Sequence, residues 1–156
     1  MRAGISLNPD FLDLLEALRG NGVEFLVVGA HALAAHGVPR ATGDLDVWVR
    51  PTEENAAKVV RALTSFGAPL PAHGITARDF SVPGLVYQLG LPPRRIDLLT
   101  ELSGLEFDEA WPSRVVVQVD GAPVPFIGRE ALLKNKRASG RPKDLADAAV
   151  LESAPR

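Results

Sequence analysis

A chain of 156 residues with 46% hydrophobic and 23% charged residues has the size and balance of one globular domain with an ordinary core. A net charge of −2 argues against bulk attraction to nucleic acid, and the absence of cysteine removes disulfides and thiolate chemistry. No apolar run reaches the length of a membrane span, and residues 1–7 lack the apolar region of a signal peptide, so the expectation is a cytoplasmic protein with no membrane partner.

Taken in order, Asn8-Pro9-Asp10 reads as a helix start, with Asn as cap, Pro at the first helical position and an acid in the first turn. Phe11, Leu14, Leu15 and Leu18 follow at the spacing of one buried face, and Gly20-Asn21-Gly22 ends the helix. Residues 24–50 then read as strand, glycine turn, short helix, loop and strand. Phe25-Leu26-Val27-Val28 is a short apolar run ending at Gly29, and residues 30–35 are short-chained and helix-prone. Backbone N–H groups at such a turn suit phosphate. Pro51-Thr52-Glu53-Glu54 opens a further helix with Ala56, Val59, Val60 and Leu63 inward, stopped at Gly67-Ala68-Pro69.

Residues 68–93 are rich in proline and glycine and predict loops and short strands, with residues 84–89 as the strand. Arg94-Arg95-Ile96-Asp97-Leu98-Leu99 predicts a strand with one acid in an apolar run. Residues 105–111 predict a helical turn. Residues 114–127 predict a hairpin about Asp120-Gly121, with Pro123 and Pro125 placing its second arm at an edge. Two helices follow, over 129–139 and 143–152, broken by Gly140 and Pro142. The order predicts a mixed-direction α/β (α+β) sheet flanked by helices.

The acids carry the chemistry. Asp44 and Asp46 are two apart in a strand and project side by side, while Leu45, Val47 and Val49 face the other way. Adjacent like charges repel and call for compensation, and a hard divalent cation is the common form of it. Asp97, mid-strand among aliphatic neighbours, is the candidate third ligand or base. Its structural alternative is a buried ion pair with Arg95 or Arg40. Arg40 offers a fork for phosphate oxygens, and Thr42 shapes the approach to the strand. His31 and His36 read as packed or capping imidazoles, and Trp48 as core.

Val28-Gly29-Ala30, a spacer, then Asp44-Leu45-Asp46-Val47 resembles the signature of the nucleotidyltransferase superfamily, and the spacer resembles AbiE-type toxin nucleotidyltransferases and minimal nucleotidyltransferases. Ala30 departs from it, since the superfamily usually carries Gly or Ser there. Residues 133–147 resemble the same group, with Lys136 on one helix and Arg141, Lys143, Asp144 and Asp147 opening the next. The resemblance implies one domain over 1–156, with a core over about 21–100 and a hairpin and helices appended over about 105–152. It implies Mg2+ (or Mn2+) on Asp44, Asp46 and Asp97. Gly29, Ala30, Arg40, Thr42, Lys136, Arg141 and Lys143 would hold an NTP (ATP among them), with Asp144 and Asp147 orienting the basic residues. The implied activity is transfer of NMP to a hydroxyl of tRNA or of a cognate toxin or antitoxin protein, in a toxin–antitoxin or phage-defence module. The alternatives are an antibiotic-type small-molecule acceptor, or an inactive fold that binds a partner.

Overall fold

The computed structural model describes residues 2–38 and 43–155, with Arg2 and Ala3 by backbone alone. Seven strands form one sheet: β1 (Arg2–Ile5), β2 (Phe25–Val28), β3 (Leu45–Val49), β4 (Val86–Leu89), β5 (Ile96–Leu99), β6 (Val115–Val119) and β7 (Ala122–Phe126). Their order across the sheet is β1-β6-β7-β2-β3-β5-β4. Strand β3 runs antiparallel to β2 and parallel to β5, and β4 returns antiparallel on the outer side of β5.

The helices are α1 (Pro9–Gly20), α2 (Gly29–Ala35), α3 (Glu53–Phe66), the single turns α4 (Ala77–Phe80) and α5 (Phe107–Ala110), then α6 (Arg129–Ser139) and α7 (Pro142–Ser153). Local chemistry accounts for their ends. The Asn8 side chain accepts from the N–H of Phe11, and Thr52 accepts from that of Asn55. Gly67 and Gly140 close α3 and α6 in the left-handed conformation. The predicted inner faces are largely the observed ones: Phe11, Leu14, Leu15 and Leu18 of α1, and Ala56, Val59 and Leu63 of α3, are buried, while Val60 is partly buried against the core. Phe25 to Val28 are buried on both faces, as a central strand requires. No helix among the described residues is long and apolar enough to cross a membrane.

Three features differ from expectation, the first being the helical turn α4 inside residues 68–93, where only loops and short strands were expected. Strand β1 was not foreseen: four residues at the start of the chain join the sheet in parallel with β6. The second arm of the hairpin, β7, is not at an edge but between β6 and β2. Its prolines are tolerated because β7 meets β2 only at Phe126, opposite Val27, beyond both of them. Pro123 and Pro125 face β6 partners on one side and no strand on the other.

Candidate active site

Gly29 ends β2 and opens α2 at φ +70. A side chain there would be strained and obstructed, since a β carbon would run into the Oδ2 and Cγ of Asp46. The sheet register explains the proximity. Val28 lies opposite Asp46 in the β2–β3 ladder, and Asp46 lies opposite Asp97 in the β3–β5 ladder. Partners across a ladder share a face. The carboxylates of Asp46 and Asp97 therefore stand side by side over the glycine bend and share a hydrogen bond. Asp44 stands just before β3.

Such crowding has an electrostatic cost. Burial first, then the charge of Asp97 and a shared hydrogen bond with it, then Asp44, push the Asp46 carboxyl up to about 7, with Arg95 opposing. Arg95 is the counter-ion. Its Nη2 lies 2.8 Å from Asp44 Oδ2, and its Nε donates to Asp97 Oδ1 at 3.1 Å. A second N–H, on Nη2, donates to Asp97 Oδ2 at 3.3 Å. The hydrogen bond to Asp97, and then its charge, raise the pKa of the guanidinium further. Sequence reasoning offered Arg95 as a partner of Asp97 alone; the link to Asp44 was missed, because nothing local shows that β5 lies beside the start of β3.

The other wall is basic. Lys136 Nζ of α6 lies 3.4 Å from Asp144 Oδ1 and 3.3 Å from Asp147 Oδ2 of α7. The two acids are almost fully buried, and Arg141 donates to Asp144 at 2.7 Å. Burial works against the charge of Asp144, but the hydrogen bond from Arg141 and the ammonium of Lys136 outweigh it, so its carboxyl titrates below the usual range. Asp144 and Asp147 thus hold Lys136 and Arg141 in place. Lys134 and Arg137 point elsewhere, to Glu109 and Glu152, as solvated helix charges.

The two walls meet across a cleft of about 300 Å3 lined by Gly29, Ala30, Asp44, Asp46, Lys136, Arg141, Lys143, Asp144 and Asp147. Nine of the sequence-derived candidates are therefore brought together, and Asp97 joins them through Asp46. Arg40 and Thr42 lie outside the described residues. Gly43 and Leu33 complete the lining. His31 is buried edge-on to Phe11, its ring centroid 5.7 Å away, and burial lowers its pKa, with Asp44 opposing. His36 caps α2 and its Nε2 lies 2.8 Å from the carbonyl of Ile127. Trp48 is core, packed edge-on to Phe107.

The donor atoms are of the kind a divalent cation takes. Three carboxylates on neighbouring segments offer hard oxygen donors, and burial followed by the nearness of Asp97 and Asp44 keeps the proton on Asp46 to about pH 7. The oxygens are drawn onto Arg95 instead of around one point, and among the described residues no three His, Asp or Glu side chains form a ready-made cage.

No known family's sequence profile matches the chain, and no curated protein matches it in sequence. In three dimensions it is similar to a crystal structure of a Thermotoga maritima protein provisionally described as a nucleotidyltransferase. The TM-score is 0.57 over 94% of this chain and 92% of that one, at 16% identity. At that identity the likeness is one of fold: this chain has a nucleotidyltransferase-like mixed α/β architecture, and its carboxylates and basic cleft stand on that framework.

Proposed function

We propose that this protein is a divalent-cation-dependent nucleotidyltransferase that moves a nucleoside monophosphate from an NTP to an acceptor hydroxyl. One observation carries the reading. Asp46 and Asp97 meet in register on one face, beside Asp44 and over the bend at Gly29, and Asp44 and Asp46 line a cleft whose other wall is Lys136 and Lys143. In the reaction a bond forms between the acceptor oxygen and the α-phosphorus, the α–β bridging bond breaks, and pyrophosphate leaves.

Asp44, Asp46 and Asp97 would hold Mg2+ (or Mn2+), which when bound supplies Lewis-acid stabilisation of the attacking and leaving oxygens. Asp97, on the side of Asp46 away from β2, takes the acceptor's proton. Lys136 and Lys143, with Arg141, neutralise the triphosphate as its charge shifts toward the leaving group. Ala30 offers only its backbone N–H to phosphate, so affinity rests on these basic groups. Arg40 and Thr42 are further contacts on the motif resemblance alone.

The resemblance of residues 28–47 and 133–147 to AbiE-type and minimal nucleotidyltransferases supports tRNA or a cognate partner protein as acceptor, within a toxin–antitoxin or defence setting. The test is transfer from α-labelled NTPs, with Mg2+, onto total RNA, partner proteins from the gene's neighbourhood, or hydroxyl-bearing antibiotics. Label should appear on one acceptor class and fall at least ~100-fold in Asp44→Ala, the scale expected when an electrostatic catalytic group is removed. Persistence of transfer in that variant refutes the site. A wild-type protein that binds neither NTP nor cation is a partner-binding module instead.

A further inference from the structure

The counter-ion at the carboxylates is itself informative. A single guanidinium holds the two outer acids of the three, with Arg95 Nη2 at 2.8 Å from Asp44 and Arg95 Nε at 3.1 Å from Asp97. These are the oxygens that a divalent cation needs. Among the described residues no other cation pairs with either acid: Lys136 and Arg141 are committed to Asp144 and Asp147, and Arg50 to Glu24 and Asp108. Arg95 is also free to leave. Its side chain is 31% exposed, and it lies just ahead of β5 rather than within the core. Turned to solvent, the guanidinium would exchange its bonds to Asp44 and Asp97 for bonds to water.

We propose that Arg95 is a resident counter-cation that occupies the carboxylate site in the cation-free protein and is displaced when a divalent cation binds. Resting on the nucleotidyltransferase reading above, this gives Arg95 a role opposite to that of a ligand-positioning residue. A residue that merely holds Asp44 and Asp97 in position would make cation binding weaker when removed. A competitor makes it tighter, because its removal leaves the acids uncompensated and their oxygens unoccupied. The arginine thereby keeps three crowded acids from destabilising the empty protein, and it sets a threshold below which the site does not load.

The measurement is Mn2+ binding alone, followed by the electron paramagnetic resonance signal of free Mn2+ at pH 8, in wild type, Arg95→Gln and Arg95→Lys. Arg95→Gln should bind Mn2+ about tenfold more tightly, corresponding to about 1.4 kcal/mol. Arg95→Lys, whose single ammonium cannot bridge both acids, should fall between and serves if the glutamine variant does not fold. Asp44→Ala should bind more weakly than wild type. Equal or weaker binding in both Arg95 variants, with wild-type binding intact, overturns the counter-cation role and leaves the enzymatic reading standing. If neither wild type nor any variant binds Mn2+ at millimolar concentration, with or without ATP, both fall together.

Discussion

Asp46 sits where a carboxylate is least comfortable, buried beside Asp97 and within reach of Asp44. Its folded pKa of about 7 exceeds the unfolded value, so between about pH 4 and pH 7 the folded chain binds more protons than the unfolded one. Stability from this group is therefore greatest in acid and is lost as pH rises through 7. With the proton shared between two acids, the loss is about 2–4 kcal/mol. Asp46→Asn is neutral at every pH and can still donate to Asp97. In EDTA the variant should melt higher than wild type at pH 8 and show a flatter profile from pH 5 to 8. Parallel melting profiles would mean that the three acids do not repel as described. Gly29 by contrast is intolerant of substitution, since both its φ and the nearness of Asp46 oppose a β carbon.

At the level of elements, α6 and α7 are joined by buried charge as well as by apolar contact. The helix α7 turns Asp144 and Asp147 inward beside Ala148 and Leu151, an arrangement eased by Lys136 between the acids and by Arg141 on Asp144. Removing one member of a buried pair is costlier than never having built it. Lys136→Met should lower the unfolding free energy by about 2–4 kcal/mol, the retained bond from Arg141 to Asp144 keeping it below the full value for an unpaired acid. Urea denaturation measures this, and a midpoint equal to that of wild type would show that the lysine serves the cleft alone. The same helices bring Lys136, Arg141 and Lys143 to the cleft that Asp44 and Asp46 also line, so the charges that join α6 to α7 are the ones the proposed nucleotide site would use.

At the scale of the molecule, the hairpin of β6 and β7 is part of the framework that carries the acids. Among the described residues strand β1 pairs with β6 alone, and β2 has β7 as its neighbour on the side away from β3. A chain of residues 1–103 would lose both neighbours and uncover β2, which is buried on both faces. It should show no cooperative transition in urea and poor amide dispersion by NMR, because exposed apolar strands and unpaired edges cannot offset the entropy of ordering. Cooperative unfolding of that fragment would mean that the segment after residue 103 is an addition to a self-sufficient core.

How far the sequence could be read depends on the range of the interactions involved. Caps, glycine stops and apolar spacing act within a few residues, so α1, α3, α6 and the two faces of β3 were legible directly. The side-by-side placement of Asp44 and Asp46 and the stop at Gly29 were legible for the same reason. Strand β1 was not, because four residues acquire a strand's conformation only from the partner at residues 117–119. Nor was the interior position of β7, since proline states only that one N–H is missing, not which side of the strand is left open. The meeting of Asp46 with Asp97, and of Arg95 with both Asp44 and Asp97, was decided by β3 and β5 lying in parallel register. Local sequence sets which face a side chain takes; only packing across the sheet sets what it meets there.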